Sequence, residues 1–223
     1  MSFSAAVSGT RNTLAIWPYQ KFQGHTGWVR GVIHLLGGQQ IMTCSYDGSL
    51  RVWNLKTGEQ IGDAWWDPGE NGVLAIALSP DGKKVVCGCE DGAVKLRDIY
   101  TGKIIAKWTR HSSYVISVCW HRDCRRVLSA SGDGTARVWD VESRKTVLAI
   151  ETGISELEAV VYSPNMTMIA TGGDGIKIWD AKTGKVIADL KGHTGTVYCL
   201  AWTADKVISG SRCSIRPIIT YTH

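Results

Sequence analysis

The stretch SASGDGTARVWD, residues 129–140, carries Ser131, Asp133 and Trp139, and His111 lies upstream of it. A serine, a histidine and an aspartate admit two readings, a nucleophilic triad or the internal fasteners of a repeating unit. Spacing along the chain separates them. Asp47, Asp91, Asp133 and Asp174 follow one another at intervals of 44, 42 and 41 residues, each in a short Asp-Gly turn. Trp53 and Trp139 are 86 residues apart, and His25, His111 and His193 are separated by 86 and 82. A sustained period of this length marks a repeat architecture, in which each unit buries its apolar surface against the next.

Aligned on these markers, every unit holds β-rich runs of five to eight residues separated by turn chemistry such as Ser79-Pro80-Asp81-Gly82. A second turn follows each tryptophan or its equivalent, as in Lys56-Thr57-Gly58, Tyr100-Thr101-Gly102 and Lys182-Thr183-Gly184. No 3.6-residue period intervenes, so helices do not alternate with the strands. Four short antiparallel strands per unit fit the pattern.

A Gly-His near the start of the unit, a Trp-Asp or Trp-Asn near its end and about 42 residues between copies resemble the WD40 family over roughly residues 13–212. The resemblance implies an all-β propeller, with four-stranded sheets packed radially around a channel. The units run over about 24–64, 65–108, 109–150 and 151–190, with a partial unit at 191–223. Residues 13–223 are therefore read as the propeller and residues 1–12 as an N-terminal segment.

The resemblance also assigns the polar residues to a hydrogen-bonded chain of histidine, hydroxyl, aspartate and tryptophan. Carried over, one set is His25, Ser45, Asp47 and Trp53, a second is His111, Ser131, Asp133 and Trp139, and His193 with Ser211 begins a third. The chemistry fits, since an indole N–H only donates, a hydroxyl both donates and accepts, and an imidazole passes the donor direction on. A catalytic serine needs exposure beside an oxyanion hole. Neither serine lies in a G-x-S-x-G elbow, and the constellation recurs, whereas an active site is normally unique.

Two units are incomplete. The second has Arg97 at the tryptophan position and Cys89 at the serine position, and the fourth keeps Trp179 but has Gly172 or Gly173 in place of serine and a turn one residue short. At the ends, Arg11–Trp17 reads as a third strand, while Ser211–Pro217 replaces the expected aspartate turn. Pro217 cannot donate to a ladder and is placed at an edge. If the ends complete one sheet together, the chain forms about five blades; if the ring stays open, exposed edges favour self-association.

Composition bounds the rest. The 223 residues are 44% apolar and 20% charged, as in a soluble globular protein. The N-terminus lacks a basic region followed by a long apolar run, so no secretory signal is expected, and the longest apolar runs, such as residues 73–78, are strand-sized. Seven cysteines, mostly inside apolar runs, point to a reducing compartment, cytoplasmic or nuclear. Cys87 and Cys89 form a C-x-C pair with no second pair nearby, so neither a metal nor a cofactor is expected.

Three functions are compatible with a chain of this kind. The first is a non-catalytic scaffold for protein or peptide partners. The resemblance places partner contacts in the loop before strand one and beside the turn aspartate, here Trp28, Arg30, Tyr46, Glu90, Tyr114, Ile116, Glu156, Glu158, Thr196, Tyr198 and Arg212. Tryptophan, tyrosine and arginine are the types that dominate interface energetics. The second is an enzyme, but His121-Arg122-Asp123-Cys124 occupies the turn between strands one and two, and the other elements of a kinase are missing. The third is a nucleic-acid or chromatin module. The net charge of +5 is dispersed rather than gathered in a stripe and identifies no partner, whereas Glu90, Glu156 and Glu158 on one side of the propeller face with Arg30 and Arg212 elsewhere favour a mixed-charge peptide over DNA. No membrane attachment is expected.

Overall fold

The computed structural model describes residues 20–66, 71–204, 206–212 and 221–222. The readings made for Arg11–Trp17 and for Pro217 lie outside these residues.

The described chain is built of strands. The first sheet contains β1 (Val29–His34), β2 (Gln40–Ser45), β3 (Leu50–Asn54) and β4 (Gln60–Trp65). The second contains β5 (Val73–Leu78), β6 (Lys84–Cys89), β7 (Val94–Asp98) and β8 (Ile104–Trp108). The third contains β9 (Val115–Trp120), β10 (Arg126–Ser131), β11 (Thr135–Asp140) and β12 (Thr146–Glu151). The fourth contains β13 (Ala159–Tyr162), β14 (Met168–Gly172), β15 (Ile176–Asp180) and β16 (Val186–Leu190). The fifth contains β17 (Val197–Trp202), β18 (Lys206–Ser211) and β19 (Tyr221–Thr222). Each sheet is an antiparallel meander in chain order, four-stranded in the first four and three-stranded in the fifth.

The turns explain the meander. In the Asp-Gly turns after β2, β6 and β10, Gly48, Gly92 and Gly134 adopt φ of 84°, 78° and 79°, a region open to glycine at little cost. The aspartate side chain accepts from the amide two residues on, as Asp47 does from Ser49 and Asp133 from Thr135. The His121-Arg122-Asp123-Cys124 stretch is indeed a hairpin turn, closed by the His121 amide to Arg126 carbonyl bond of 2.9 Å.

The core lies between sheets rather than within one. One apolar cluster joins the first two sheets through Met42, Leu50, Val73 and Val85. The next joins the second and third through Leu96, Trp108, Trp120 and Trp139. The third and fourth share Leu128, Ile150, Leu157 and Ile169, and the fourth and fifth share Ile176, Ile178, Val197 and Val207. A sheet covered on both faces needs apolar residues on both, so β2, β6 and β10 are each buried at five successive positions. Indole N–H groups bridge neighbouring sheets, Trp120 to the Ala77 carbonyl and Trp108 to the Arg144 carbonyl, both at 3.0 Å.

The inner strands pack in series, β1 on β5, β5 on β9, β9 on β13 and β13 on β17. No comparable packing joins β17 to β1 among the described residues. The arc is open. Val29 and Val32 on β1 are 54% and 61% exposed, whereas the matching residues of β5 and β9 are largely buried. Bare apolar strand faces of this kind favour association. Light scattering should therefore give a mass that rises with concentration, and Val29→Lys with Val32→Lys should return it to the monomer value; a concentration-independent monomer would contradict the open arc.

Candidate functional site

The polar chains come first, because they decide what the histidines and hydroxyls are free to do. In the first sheet Trp53 donates its indole N–H to the Thr43 hydroxyl at 2.7 Å, and that hydroxyl also meets His25 Nε2 at 2.7 Å. His25 Nδ1 donates to Asp47 Oδ2 at 2.9 Å. The third sheet repeats the chain through Trp139, Ser129, His111 and Asp133, at 2.8, 2.8 and 3.0 Å. Every link runs donor to acceptor if each imidazole carries its proton on Nδ1.

The hydroxyl at the centre is therefore Thr43 and Ser129, not Ser45 and Ser131. Residues 43 and 45 lie on the same side of β2, because side chains alternate along a strand, so sequence pattern alone does not tell them apart. Ser45 and Ser131 instead accept from the amides of Asp47 and Asp133, each at 3.1 Å, and so hold the turn. The fifth sheet shows the same two-residue displacement: His193 Nε2 meets Ser209 at 2.8 Å, and Ser211 donates to the Gly195 carbonyl. His193 Nδ1 is buried and has no partner among the described residues, in keeping with the missing aspartate turn.

The same displacement revises the incomplete units. Thr171, two residues before Gly173, accepts the Trp179 indole at 2.9 Å, so the fourth sheet keeps half of the chain. In the second sheet the central position falls on Cys87 rather than Cys89. Arg97, at the tryptophan position, is buried and donates to the Gly102 carbonyl at 2.7 Å.

Electrostatics agree with a structural role. Burial works against the charge on Asp47, but hydrogen bonds from Ser49, Thr26 and His25 outweigh it and hold the carboxyl far below the usual range. Asp133 is lowered in the same way against its own burial, by Thr135, Ser112 and His111. Burial pushes the His111 pKa down, opposed by Asp133 and aided by Arg137. Ser45, Ser129 and Ser131 are all fully buried, so none is open to a substrate.

The surface left for recognition lies at the starts of the inner strands. In β1, β5, β9 and β17 the pairing skips one residue near the strand start: Arg30, Leu74, Ile116 and Tyr198 have no partner in the ladder. Such a bulge bends the strand and re-aims a side chain. Arg30 and Tyr198 emerge exposed, Ile116 is half-buried and Leu74 is buried. The fourth sheet, whose turn is one residue shorter, pairs regularly from Ala159. The bulge itself is not visible in the sequence pattern, but the short Gly173-Asp174-Gly175 turn signals its loss in the fourth sheet.

Around the bulges several of the expected residues converge. Trp28 is 78% exposed and meets Tyr46 edge-on at 5.9 Å, and the Arg30 guanidinium lies 5.5 Å from the Tyr46 ring centre. Glu90 accepts from the Gly72 amide at 3.3 Å. Tyr114 lies over Gly132, where any Cβ would come within 2.5 Å of its ring. Burial, then the like charge of Glu156, raises the Glu158 pKa, and Arg30 opposes both. Burial raises the Tyr114 pKa, followed by Glu156 and Glu158. Residues of the first, third and fourth sheets thus act on one another across the arc. Arg212 donates its amide to the Thr196 carbonyl at 3.4 Å on the fifth sheet, and no contact joins Thr196, Tyr198 or Arg212 to the Arg30 group among the described residues. No group of three metal-ligating side chains occurs among the described residues.

Comparison with known proteins places this geometry. The family described as WD domain, G-beta repeat matches residues 7–54, 102–140 and 184–216, and the anaphase-promoting complex subunit 4 WD40 domain matches residues 51–117. The chain is 27% identical to autophagy-related protein 16 of Arabidopsis thaliana, over 90% of this chain and 41% of that protein. It is 29% identical to small ribosomal subunit protein RACK1y of Oryza sativa subsp. japonica, over 84% of this chain and 72% of that protein. It is 28% identical to U3 small nucleolar RNA-associated protein 4 homolog of Mus musculus, over 82% of this chain and 29% of that protein. The chain spans less than half the length of the first and third of these relatives.

Two outcomes follow from the polar chains. Thr43→Val and Trp53→Phe should each cost ~1–3 kcal/mol, and the double variant should fall short of their sum by ~0.5 kcal/mol or more, whereas Ser45→Ala with Trp53→Phe should be additive; denaturant unfolding measures both cycles. The second concerns pH. A lowered His111 pKa means that the unfolded chain binds the proton first, so this stability is present above the ordinary histidine pKa of about 6.5 and is lost as pH falls below it. The depressed Asp47 and Asp133 contribute above the ordinary carboxylate pKa of about 3.9 and fail only as pH drops further. The melting temperature should fall from pH 7.5 to 5.5, and His111→Gln should flatten that slope; an unchanged slope would refute the assignment.

Proposed function

Because the chain belongs to the WD40-repeat family, whose propellers generally serve as non-catalytic interaction scaffolds, we propose that it is a protein-interaction scaffold that receives a peptide or loop on the face carrying Trp28, Arg30 and Tyr46. The observation that carries the reading is Trp28, 78% exposed and propped edge-on by Tyr46 with Arg30 over the same ring. An exposed indole held in place by its neighbours offers a large apolar contact at low entropic cost, and Trp, Tyr and Arg are the types most enriched among residues that dominate binding energy.

Charge narrows the partner. Glu156 and Glu158 sit together on the far side of this face, with Glu158 partly desolvated beside its like-charged neighbour and Arg30 opposing them. A lysine or arginine on the incoming segment would relieve that repulsion, while an acidic or aromatic residue would meet Arg30 and Trp28. The expected ligand is a mixed-charge segment with one basic anchor. Relatives bear names from autophagy, the ribosome and small nucleolar RNA assembly, so cytoplasm and nucleus both suit the chain, and the face rather than the fold selects the partner.

Selection of a displayed random-peptide library on the whole chain tests this. The enriched peptides should carry a basic residue beside an aromatic or acidic one. Trp28→Ala with Glu156→Ala, both at exposed positions, should leave thermal melting unchanged and weaken the selected peptides at least tenfold. Binding that survives both substitutions would place recognition elsewhere.

A further inference from the structure

Between the second and third sheets a cleft of about 610 Å³ is lined by Lys107, Arg110, Arg137, Arg144 and Lys145 over Trp108 and Trp139. Its lining contains five cationic side chains and no carboxylate. Lys107 is partly neutralised by Asp91 at 4.0 Å. Arg110, Arg137, Arg144 and Lys145 make no ion pair among the described residues. Concentrating this much like charge on one wall raises the energy of the empty protein, and a multiply charged anion would lower it.

Two details set this cleft apart from the equivalent places on the other sheets. The first is Arg137. Each of the first four sheets has a basic residue two positions before the tryptophan or its equivalent: Arg51, Lys95, Arg137 and Lys177. Arg51 donates to Gln60 at 2.6 Å and lies over Trp66, and Lys177 donates to the Thr152 carbonyl at 2.7 Å. The Nε of Arg137 is buried and unsatisfied, as is that of Arg51, but Arg51 places its other guanidinium nitrogen on Gln60, whereas the Arg137 guanidinium has no hydrogen-bond partner among the described residues. A buried, unpaired guanidinium donor is costly and calls for an acceptor.

The second is Arg144. It occupies the turn position that is glycine in three other sheets, Gly58, Gly102 and Gly184, where φ is 77°, 68° and 70°. Arg144 adopts φ of 58° there, a left-handed conformation that a residue with a Cβ enters at a cost. Its carbonyl receives the Trp108 indole, which any residue could do through its backbone; the side chain is what differs, and Arg144 is among the residues that line the cleft.

We propose that this cleft binds a small, base-free molecule carrying several phosphate groups, with Arg110, Arg137 and Arg144 forking onto phosphate oxygens and Lys145 supplying further charge. Planar guanidinium groups match phosphate geometry, and the volume falls within the range of small-molecule sites. The tryptophans argue against a nucleobase: Trp139 is 0% and Trp108 4% exposed, stacked on each other at 5.6 Å, so neither offers a free face. Both a soluble inositol polyphosphate and the headgroup of a phosphorylated inositol lipid present this chemistry. The site is independent of the peptide face.

Calorimetric titration and thermal melting of the whole chain with myo-inositol hexakisphosphate and with tripolyphosphate test the proposal. Saturable binding at one site per chain, with a raised melting temperature and weakening as salt rises, is expected. Arg144→Gly should melt no lower than the parent, since it restores the glycine of the other turns, yet weaken binding at least tenfold; Arg137→Gln should also weaken it. Co-sedimentation with phosphatidylcholine vesicles containing phosphatidylinositol bisphosphate would identify a lipid source, and binding of the soluble compounds alone would identify a free one. Absence of binding, equal affinity in Arg144→Gly, or a single-stranded oligonucleotide binding as tightly at the same site would overturn the assignment.

Discussion

A tryptophan N–H buried between two sheets must find an acceptor, and the acceptor must itself be satisfied. This requirement organises the two complete units. Trp53 and Trp139 are among the largest fully buried side chains, and each passes its donor through a hydroxyl and an imidazole to a carboxylate in the Asp-Gly turn. The carboxylate then collects backbone amides from the loop before the first strand, Thr26 in one unit and Ser112 in the other. One chain of four side chains thereby fixes an inner loop, a second strand, a tight turn and a third strand relative to one another. Breaking it anywhere leaves the remaining buried groups unpaired.

The incomplete units show how the fold tolerates loss of that chain. Where tryptophan is replaced, Arg97 satisfies a turn carbonyl; where histidine is missing, Thr171 still takes the indole of Trp179 and Lys177 caps a neighbouring carbonyl. These sheets keep their polar groups paired by shorter circuits, and their apolar faces are held by the clusters shared with the sheets on either side. Repeats of this kind draw stability from neighbours as well as from within, so a weak unit survives between strong ones.

The consequence for function is a division of the molecule. Histidines, serines and aspartates that resemble catalytic groups are enclosed and committed to the fold. Exposed chemistry gathers where regular pairing lapses: at the inner-strand bulges, which put Arg30 and Tyr198 outside the ladder, and at the outer turn, where Arg144 stands in place of glycine. Departures from the ideal repeat are where individuality can be expressed without dissolving the sheets.

The sequence by itself determined the period, the all-β class, the family and the four residue types of the polar chain, because Asp-Gly turns, tryptophans and histidines recur at nearly constant spacing and each has local backbone or hydrogen-bonding consequences. It did not determine which hydroxyl completes the chain. Thr43 and Ser45, like Ser129 and Ser131, share one side of a strand, and only the register of β2 on β3 and β10 on β11 decides which of them lies under the indole. It also left undecided the bulges, the open arc and the basic cleft. Each of these depends on groups far apart in the chain, brought together by pairing and packing, and Arg110, Arg137 and Arg144 acquire a common wall only when two neighbouring sheets are stacked.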